Sequence, residues 1–353
     1  MARTRVGLDL GSTSVRAAEV SLGSDPPAVV RAAQVPVPAG AVVGGEVQSP
    51  AQVADALREL WRRGGFKNKQ VTTGVGNQRV VVREIVVPSL PERELRQSLP
   101  FQVQEMIPIP VDQAILDFDV LEELEQEGRK MARILVAAAQ RHMVDQHVEA
   151  ILAARLEPVG VDLIPFALVR AVGTTDGMGL DSTEAGGEAV VDVGADVTNI
   201  CVHERGVPRF VRILPSGGGD ITSAVATALS ITDEQAESLK RGVESEGAPP
   251  PAEAEEVVRK RAAALADEIR SSLDFYRTQS PGAQVTRILV TGGGSKVAGL
   301  EDLMTRRIGI ATERGHPFAK VNLQVNLTEE ERAEAEPLLA VAIGLAIPQE
   351  AGP

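Results

Sequence analysis

Val6-Gly7-Leu8-Asp9-Leu10-Gly11-Ser12-Thr13-Ser14-Val15-Arg16-Ala17-Ala18-Glu19-Val20 sets two apolar runs around a Gly/Ser/Thr turn, the pattern of a β-hairpin with a polar tip. Its essentials recur in Ala189-Val190-Val191-Asp192-Val193-Gly194-Ala195-Asp196. An apolar strand, Asp-x-Gly and a small polar turn thus occur at Asp9 and again at Asp192. This predicts an internal duplication, with the glycine-rich stretch 173–187 as the boundary between the copies. A third such turn, Thr291-Gly292-Gly293-Gly294-Ser295, follows the apolar run Ile288-Leu289-Val290.

Taken singly, a glycine-rich turn is as often plain punctuation as a ligand site. Three in order, each after a strand, converge on one chemistry. Glycines let the backbone approach a phosphate, turn amides and hydroxyls donate to its oxygens, and an aspartate at a strand end holds magnesium through water. Two facing Asp-x-Gly turns make a phosphate clamp.

Between these turns the periodicity predicts a helix from Pro50 to Arg63, with Ser49 and Gln52 spaced as a capping box and Gly64 ending it. Val53, Leu57, Leu60 and Trp61 form its core face. Residues 79–163 read as strand (80–87), helix (91–106, kinked at Pro100), two strands (115–121 and 131–139), helix (141–155) and strand (159–164), enough for a small α+β module. The acidic run 122–128 reads as a solvated hairpin loop. Helices are expected over 221–229, 233–243 and 253–277, and the proline-rich 246–251 as a mobile loop.

A chain of 353 residues with 43% apolar content can bury the cores of two or three domains. A net charge of −13 opposes nucleic acid and anionic lipid over most of the surface, leaving room only for a local basic patch. The first residues enter a strand pattern at once, so no secretory leader is expected and the cytoplasm is the expected compartment. No apolar run approaches the ~20 residues a membrane span needs. Cys201, the sole cysteine, excludes an internal disulfide and a cysteine-based zinc site, and reads as an apolar filler. His142, His147, His203 and His316 lack ligand spacing.

The order of motifs resembles the actin-like ATPase superfamily: phosphate-1 hairpin, connecting helix, phosphate-2 hairpin, Gly217-Gly218 turn, Ala236-Glu237-Ser238-Leu239-Lys240 helix, and the Thr291–Gly294 turn. Within it, four stretches look like the PilM family of type IV pilus assembly: Gly11–Arg16, Val161–Leu168, Gly217–Thr222, and Ile308-Gly309-Ile310 ahead of His316-Pro317-Phe318.

The resemblance implies an α/β actin-like fold, two related ribonuclease-H-like domains around a nucleotide cleft, with an inserted α+β subdomain at 79–163. The first subdomain would comprise 1–78 and 164–187 with the C-terminal helix 336–353, the second 188–232 and 283–335, and a small helical one 233–282. It implies Mg-ATP as ligand. Gly11, Ser12, Thr13, Ser14, Gly194 and Asp196 would grip phosphates, with Arg16 and the Gly217-Gly218 turn beside them. Asp9 and Asp192 would hold Mg2+, and Glu237, Lys240, Gly292, Gly293, Gly294 and Ser295 the adenosine. Arg16 stands where the family usually has Lys, which keeps the charge and changes its hydrogen-bonding geometry.

The resemblance further implies a partner, the cytoplasmic N-terminal tail of the membrane protein PilN, docked between the first and inserted subdomains and tethering the chain to the inner membrane. Other pilus assembly proteins and a homo-oligomer remain open partners, and so does a homologous role in type II secretion. No catalytic residue is named. Ile164 precedes Pro165 where the related MreB carries a water-positioning Glu, so hydrolysis is expected to be slow or absent, with Asp162 as a nearby substitute or a helix cap. Two alternatives are an FtsA-like division filament protein, which needs an amphipathic C-terminal helix where this chain has the apolar 338–348, and a sugar kinase, which needs a catalytic Asp base. A DnaK-type chaperone would need a further substrate-binding domain.

Overall fold

The computed structural model describes residues 4–174, 186–243, 250–280 and 282–349. Strands β1 (Thr4–Leu10), β2 (Ser14–Ser21) and β3 (Ala28–Pro36) form an antiparallel meander in which Asp9 lies opposite Arg16 and Leu10 opposite Val15. A short ribbon, β4 (Val42–Val43) and β5 (Glu46–Val47), leads to α1 (Pro50–Gly64). Helix α1 buries Val53, Leu57 and Leu60 against β1–β3. The chain returns as β6 (Gln70–Val75), parallel to β1.

There follows a separate unit. β7 (Val80–Pro88), α2 (Glu92–Val103), β8 (Ala114–Gln126) and β9 (Arg129–Gln140) make a three-stranded sheet in the order β7-β9-β8, with Leu95, Leu99 and Val103 of α2 in its core. Helix α3 (Arg141–Ala153) leads back to β10 (Glu157–Leu163), parallel to β6, and α4 (Ile164–Val172) leaves the sheet.

The second half repeats this plan. β11 (Gly187–Val193), β12 (Thr198–Glu204) and β13 (Val207–Leu214) form a meander. Helices α5 (Gly218–Leu229), α6 (Asp233–Lys240) and α7 (Ala252–Gln279) precede β14 (Val285–Thr291), which runs parallel to β11. After α8 (Leu300–Ile308), β15 (Ala311–Arg314) adds parallel to β14. The order β13-β12-β11-β14-β15 therefore matches β3-β2-β1-β6-β10 strand for strand, and β16 (Asn322–Leu323) extends the first sheet beyond β3.

Helix α9 (Glu329–Ala346) runs back along the first half. Thr328 caps it, its hydroxyl accepting from the Glu331 amide while the Glu331 carboxylate accepts from the Thr328 amide. Its backbone lies so close to β1 that a Cβ on Gly7 would stand 1.9 Å from the Ala342 carbonyl, and one on Gly344 would stand 1.9 Å from that of Ala167 in α4. Among the described residues no helix is long and apolar enough to cross a membrane.

Four local expectations fail. Ser49 makes no side-chain cap, because its backbone (φ −131°, ψ 89°) turns the hydroxyl from the helix, and no Ser49–Gln52 box forms. Gly65, at φ +61°, ends α1 rather than Gly64. The acidic run is no loop: β8 continues through Gln126 and pairs Glu122 with Arg133 and Glu125 with Lys130, leaving only Glu127-Gly128, both at positive φ, as the turn. Alternation and opposite cross-strand charges extend the ladder there. Helix α2 ends at Val103, with Pro100 in its last turn. Most of the glycine-rich boundary, 175–185, and most of the proline-rich segment, 246–249, lie outside the described residues.

Candidate functional site

The C-terminal ends of β1 and β11 face each other across a cleft of about 640 Å³, closed on one side by α6 and on another by the 292–296 turn and α9. Of the residues singled out from sequence, Asp9, Gly11, Ser12, Thr13, Arg16, Asp192, Gly194, Asp196, Gly218, Glu237, Lys240, Gly292, Gly293 and Gly294 line it. Ser14, Gly217 and Ser295 are not among the lining residues and instead support the turns that are. The Ser14 carbonyl accepts from the Gly11 amide, and the buried Ser295 hydroxyl donates to the Gly292 carbonyl. The Gly217 amide donates to Asp220, and those of Gly218 and Gly219 to the Gly194 and Ala195 carbonyls. These glycines let the start of α5 lie against the 194–195 turn, where a Cβ on Gly217 would come within 2.5 Å of two carbonyl oxygens. Gly292 is fixed otherwise: at φ +84° its Cβ would meet Asp192 Oδ1 at 2.4 Å.

Two buried carboxylates dominate the electrostatics. Burial pushes the Asp9 carboxyl up, while the Arg16 guanidinium, whose Nη1 donates to Asp9 Oδ2 at 3.0 Å, pulls it down. Asp192 is pushed up to about 7 by burial and by the neighbouring charge of Asp9, against Arg16 and a hydrogen bond from Asn199. A cleft that raises two acids in this way holds negative charge that a cation would relieve. Among the described residues no three His, Cys, Asp or Glu side chains gather into a metal cage, so a cation here would lean on these two aspartates and on ligand oxygens.

The Glu237–Lys240 pair is not an ordinary surface ion pair. Lys240 is buried, and its Nζ donates to Glu237 Oε2, to Thr222 Oγ1 at 3.0 Å and to the Gly218 carbonyl at 3.2 Å. Thr222 also donates to Glu237 Oε2, at 2.7 Å, so the wall of α6 is braced against α5. Asp196 already has a partner: Gly44, from the β4–β5 ribbon of the other half, donates its amide to Asp196 Oδ2 at 3.0 Å.

Ile164 lines the cleft, as its place before Pro165 implied. Asp162 does not reach it. Its carboxylate accepts from the Leu163 amide and pairs with Arg170, so it is neither a substitute base in the cleft nor the N-cap of α4, which is Leu163.

Sequence reasoning missed Asn199, Thr222, Gly44 and the Lys296–Glu334 pair, which also borders the cleft. Asn199 had a signal, for it stands seven residues after Asp192, as Arg16 does after Asp9, and each pair is cross-strand. Among the described residues its buried Oδ1 has no partner. Gly44 had none, since its contact spans 152 positions.

A family model described as type IV pilus assembly protein PilM matches residues 7–350. Among solved structures, the "PilM-PilN type IV pilus biogenesis complex" is similar over 98% of both chains, with 30% identity and a TM-score of 0.83. MreB5 of Spiroplasma citri bound to ADP shares the fold, with a TM-score of 0.51 over 97% of this chain and 94% of its own, at 13% identity. Among curated proteins, the cell division protein FtsA of Bacillus subtilis is 21% identical over 257 residues, 67% of this chain, and the match spans 57% of that relative's length.

Proposed function

The chain belongs to the type IV pilus assembly protein PilM family, and on that premise we propose that it is a Mg-ATP-binding component of the pilus assembly platform that captures the cytoplasmic tail of PilN. The observation that carries the nucleotide half is the facing pair Asp9 and Asp192, each buried at the end of a central strand beside a glycine-rich turn. A metal-bound nucleotide supplies the second cation, the one Asp192 lacks, and its phosphates fit where Gly11–Thr13 and Gly194 leave the backbone bare. Arg16 stands beside the same phosphates. Glu237 and Gly292–Gly294 border the space left for the adenosine, with Lys240 holding Glu237 in place.

Hydrolysis in this reading is slow or absent. The cleft position that would orient an attacking water carries Ile164, an apolar side chain with no proton to accept. Nucleotide then serves to hold the two halves in one arrangement, which shapes the partner groove. The partner half of the reading places the chain at the inner face of the cytoplasmic membrane through PilN. The full-length family match favours this over the FtsA likeness, which reaches little more than half of that relative.

Calorimetric titration tests both halves. Mg-ATP is expected to bind saturably, with chelation of Mg2+ weakening it, and a synthetic PilN N-terminal peptide is expected to bind with an affinity that depends on nucleotide. Heat with neither ligand would overturn the reading, and peptide binding without any nucleotide effect would remove the coupling.

A further inference from the structure

β1, β6 and β10 are neighbouring parallel strands, so their starts share one edge of the sheet and their ends, at the cleft, share the other. At the starting edge the fold gathers cations from three separate segments: Arg5 of β1, Arg62, Arg63, Lys67 and Lys69 between the end of α1 and β6, and Arg155 ahead of β10. Hydrogen bonds fix them as one pole. The Glu157 amide donates to the Lys69 carbonyl at 2.8 Å, Asn68 Nδ2 to the Thr4 carbonyl at 3.3 Å, and Arg58 Nη1 to the Ala153 carbonyl at the end of α3 at 2.8 Å.

Against these six cations stand Glu59, shared by Arg62 and Arg63, the exposed Glu157, and Asp25 in the β2–β3 turn beside the start of β1. Among the described residues no ion pair involves Arg5, Lys67, Lys69 or Arg155. In a chain of net charge −13, this pole carries the opposite sign. Arg155 is also held at φ +63°, a left-handed position where glycine or asparagine would be less strained. Three residues before it, on the last turn of α3, Leu152 is 56% exposed.

We propose that this pole docks on an anionic phospholipid surface. Cations spread over three elements around an exposed leucine match a flat mosaic of charged headgroups above an acyl boundary. The rest of the molecule, repelled by the same surface, is turned away, so the contact sets an orientation with the nucleotide cleft facing away from the bilayer. Each Lys or Arg within a Debye length contributes roughly fivefold in affinity, so the contact is weak alone and gains by effective concentration once a membrane-bound partner holds the chain nearby. The proposal rests on the pilus-platform reading only for that nearby membrane.

Vesicle co-sedimentation of the whole chain tests it, using phosphatidylglycerol with phosphatidylcholine against phosphatidylcholine alone. Binding is expected only with phosphatidylglycerol, falling with added salt. The double variant Lys67→Glu/Lys69→Glu should lose at least tenfold, whereas Lys260→Glu/Arg261→Glu on α7, with the same change in net charge, should bind as the wild type does. Melting curves of both variants check that the fold is kept. The idea fails if binding is indifferent to phosphatidylglycerol, if both variants lose equally, or if a DNA oligomer binds as tightly as the vesicles. PilN-peptide titration on the same samples separates the two readings, because a chain that binds vesicles but no peptide refutes the platform reading and leaves this one standing.

Discussion

The β1–β2 and β11–β12 hairpins have the same architecture and different electrostatics. Each ends its first strand in an aspartate, and each places that aspartate's cross-strand partner seven residues on: Arg16 opposite Asp9, Asn199 opposite Asp192. The first carboxylate carries its own counterion; the second has a neutral amide whose Oδ1 is buried without a partner among the described residues. The copies differ again two residues earlier. Gly7 lies under the backbone of α9, whereas Val190, in the matching place, is a core side chain. Duplication preserved the strand order, and divergence separated the roles of the two halves. The first seats the closing helix and a cation, and the second leaves a carboxylate in want of one.

Converting either half toward the other should be costly, most of all at the glycine. Gly7→Val would drive a branched side chain into the Ala342 carbonyl, and nothing there is flexible enough to yield. We expect a loss of about 3 kcal/mol or more in denaturant unfolding. The reverse change, Val190→Gly, removes a buried side chain and stiffness from a central strand, for a loss of about 2–4 kcal/mol. If Gly7→Val were neutral, α9 would not be seated as the structure has it.

The charge difference comes next. Arg16→Asn makes the first hairpin like the second and leaves two buried carboxylates without a protein cation. Removing one partner of a buried pair costs on the order of 3 kcal/mol, an upper figure here because a carboxyl can protonate instead. The loss should therefore grow as pH rises from 6 to 8, and added Mg2+ should restore more stability to the variant than to the wild type. The opposite exchange, Asn199→Arg, sets a cation beside Asp192 and should weaken Mg-dependent nucleotide binding by roughly tenfold, read by calorimetry. Equal Mg2+ responses in wild type and Arg16→Asn would show that the two aspartates do not share one field.

How much of this is legible in the sequence follows from how each feature is encoded. The paired Asp-x-Gly turns, the 291–295 turn and the order of motifs lie in contiguous residues, so the duplicated fold and the glycine-rich turns of the cleft can be read directly. Lys240 looks like a surface partner of Glu237 because helical spacing says nothing of α5, which buries it. The Gly44–Asp196 contact joins segments no local pattern connects. The acidic run misleads because charge suggests solvent, whereas alternation and the basic strand opposite decide the ladder. Asn199 escapes notice when the repeat is aligned on its aspartates alone and not carried one strand further.

A pH series extends the contrast to two buried histidines. His147, in the first half, bonds the Met143 carbonyl, and burial holds its imidazole below the ordinary 6.5. The unfolded chain therefore takes up the proton first. Stability from this group is full above pH 6.5 and lost as pH falls through the folded value. His147→Gln should flatten that part of the curve. In the second half His203 instead meets Glu188 at 3.1 Å. Burial alone would raise Glu188, but hydrogen bonds from His203 and Thr174 outweigh it and hold it below 4.5, so its contribution survives to lower pH and is lost only as pH falls through that depressed value. Identical pH dependence of the melting temperature in wild type and His147→Gln between pH 7.5 and 5 would refute the His147 assignment, since Asp192, pushed up to about 7, shifts both proteins alike in that window.

The smallest effect compares two helix starts that look alike in sequence. Ser49 before α1 and Thr328 before α9 each precede, by three residues, a Gln or Glu suited to a capping box. Only Thr328 builds one, because its extended backbone (φ −62°, ψ 165°) aims the hydroxyl at the Glu331 amide, whereas at Ser49 the backbone carbonyl alone meets the Val53 amide. Thr328→Ala should therefore cost about 1 kcal/mol, while Ser49→Ala should stay within about 0.5 kcal/mol. At saturating Mg-ATP the Ser49 value should not move, and the Thr328 loss should stay the same or grow, growing to the extent that a frayed α9 weakens nucleotide binding at the cleft it borders. Equal costs at the two positions would mean that capping follows the spacing of residue types and not the backbone that carries them.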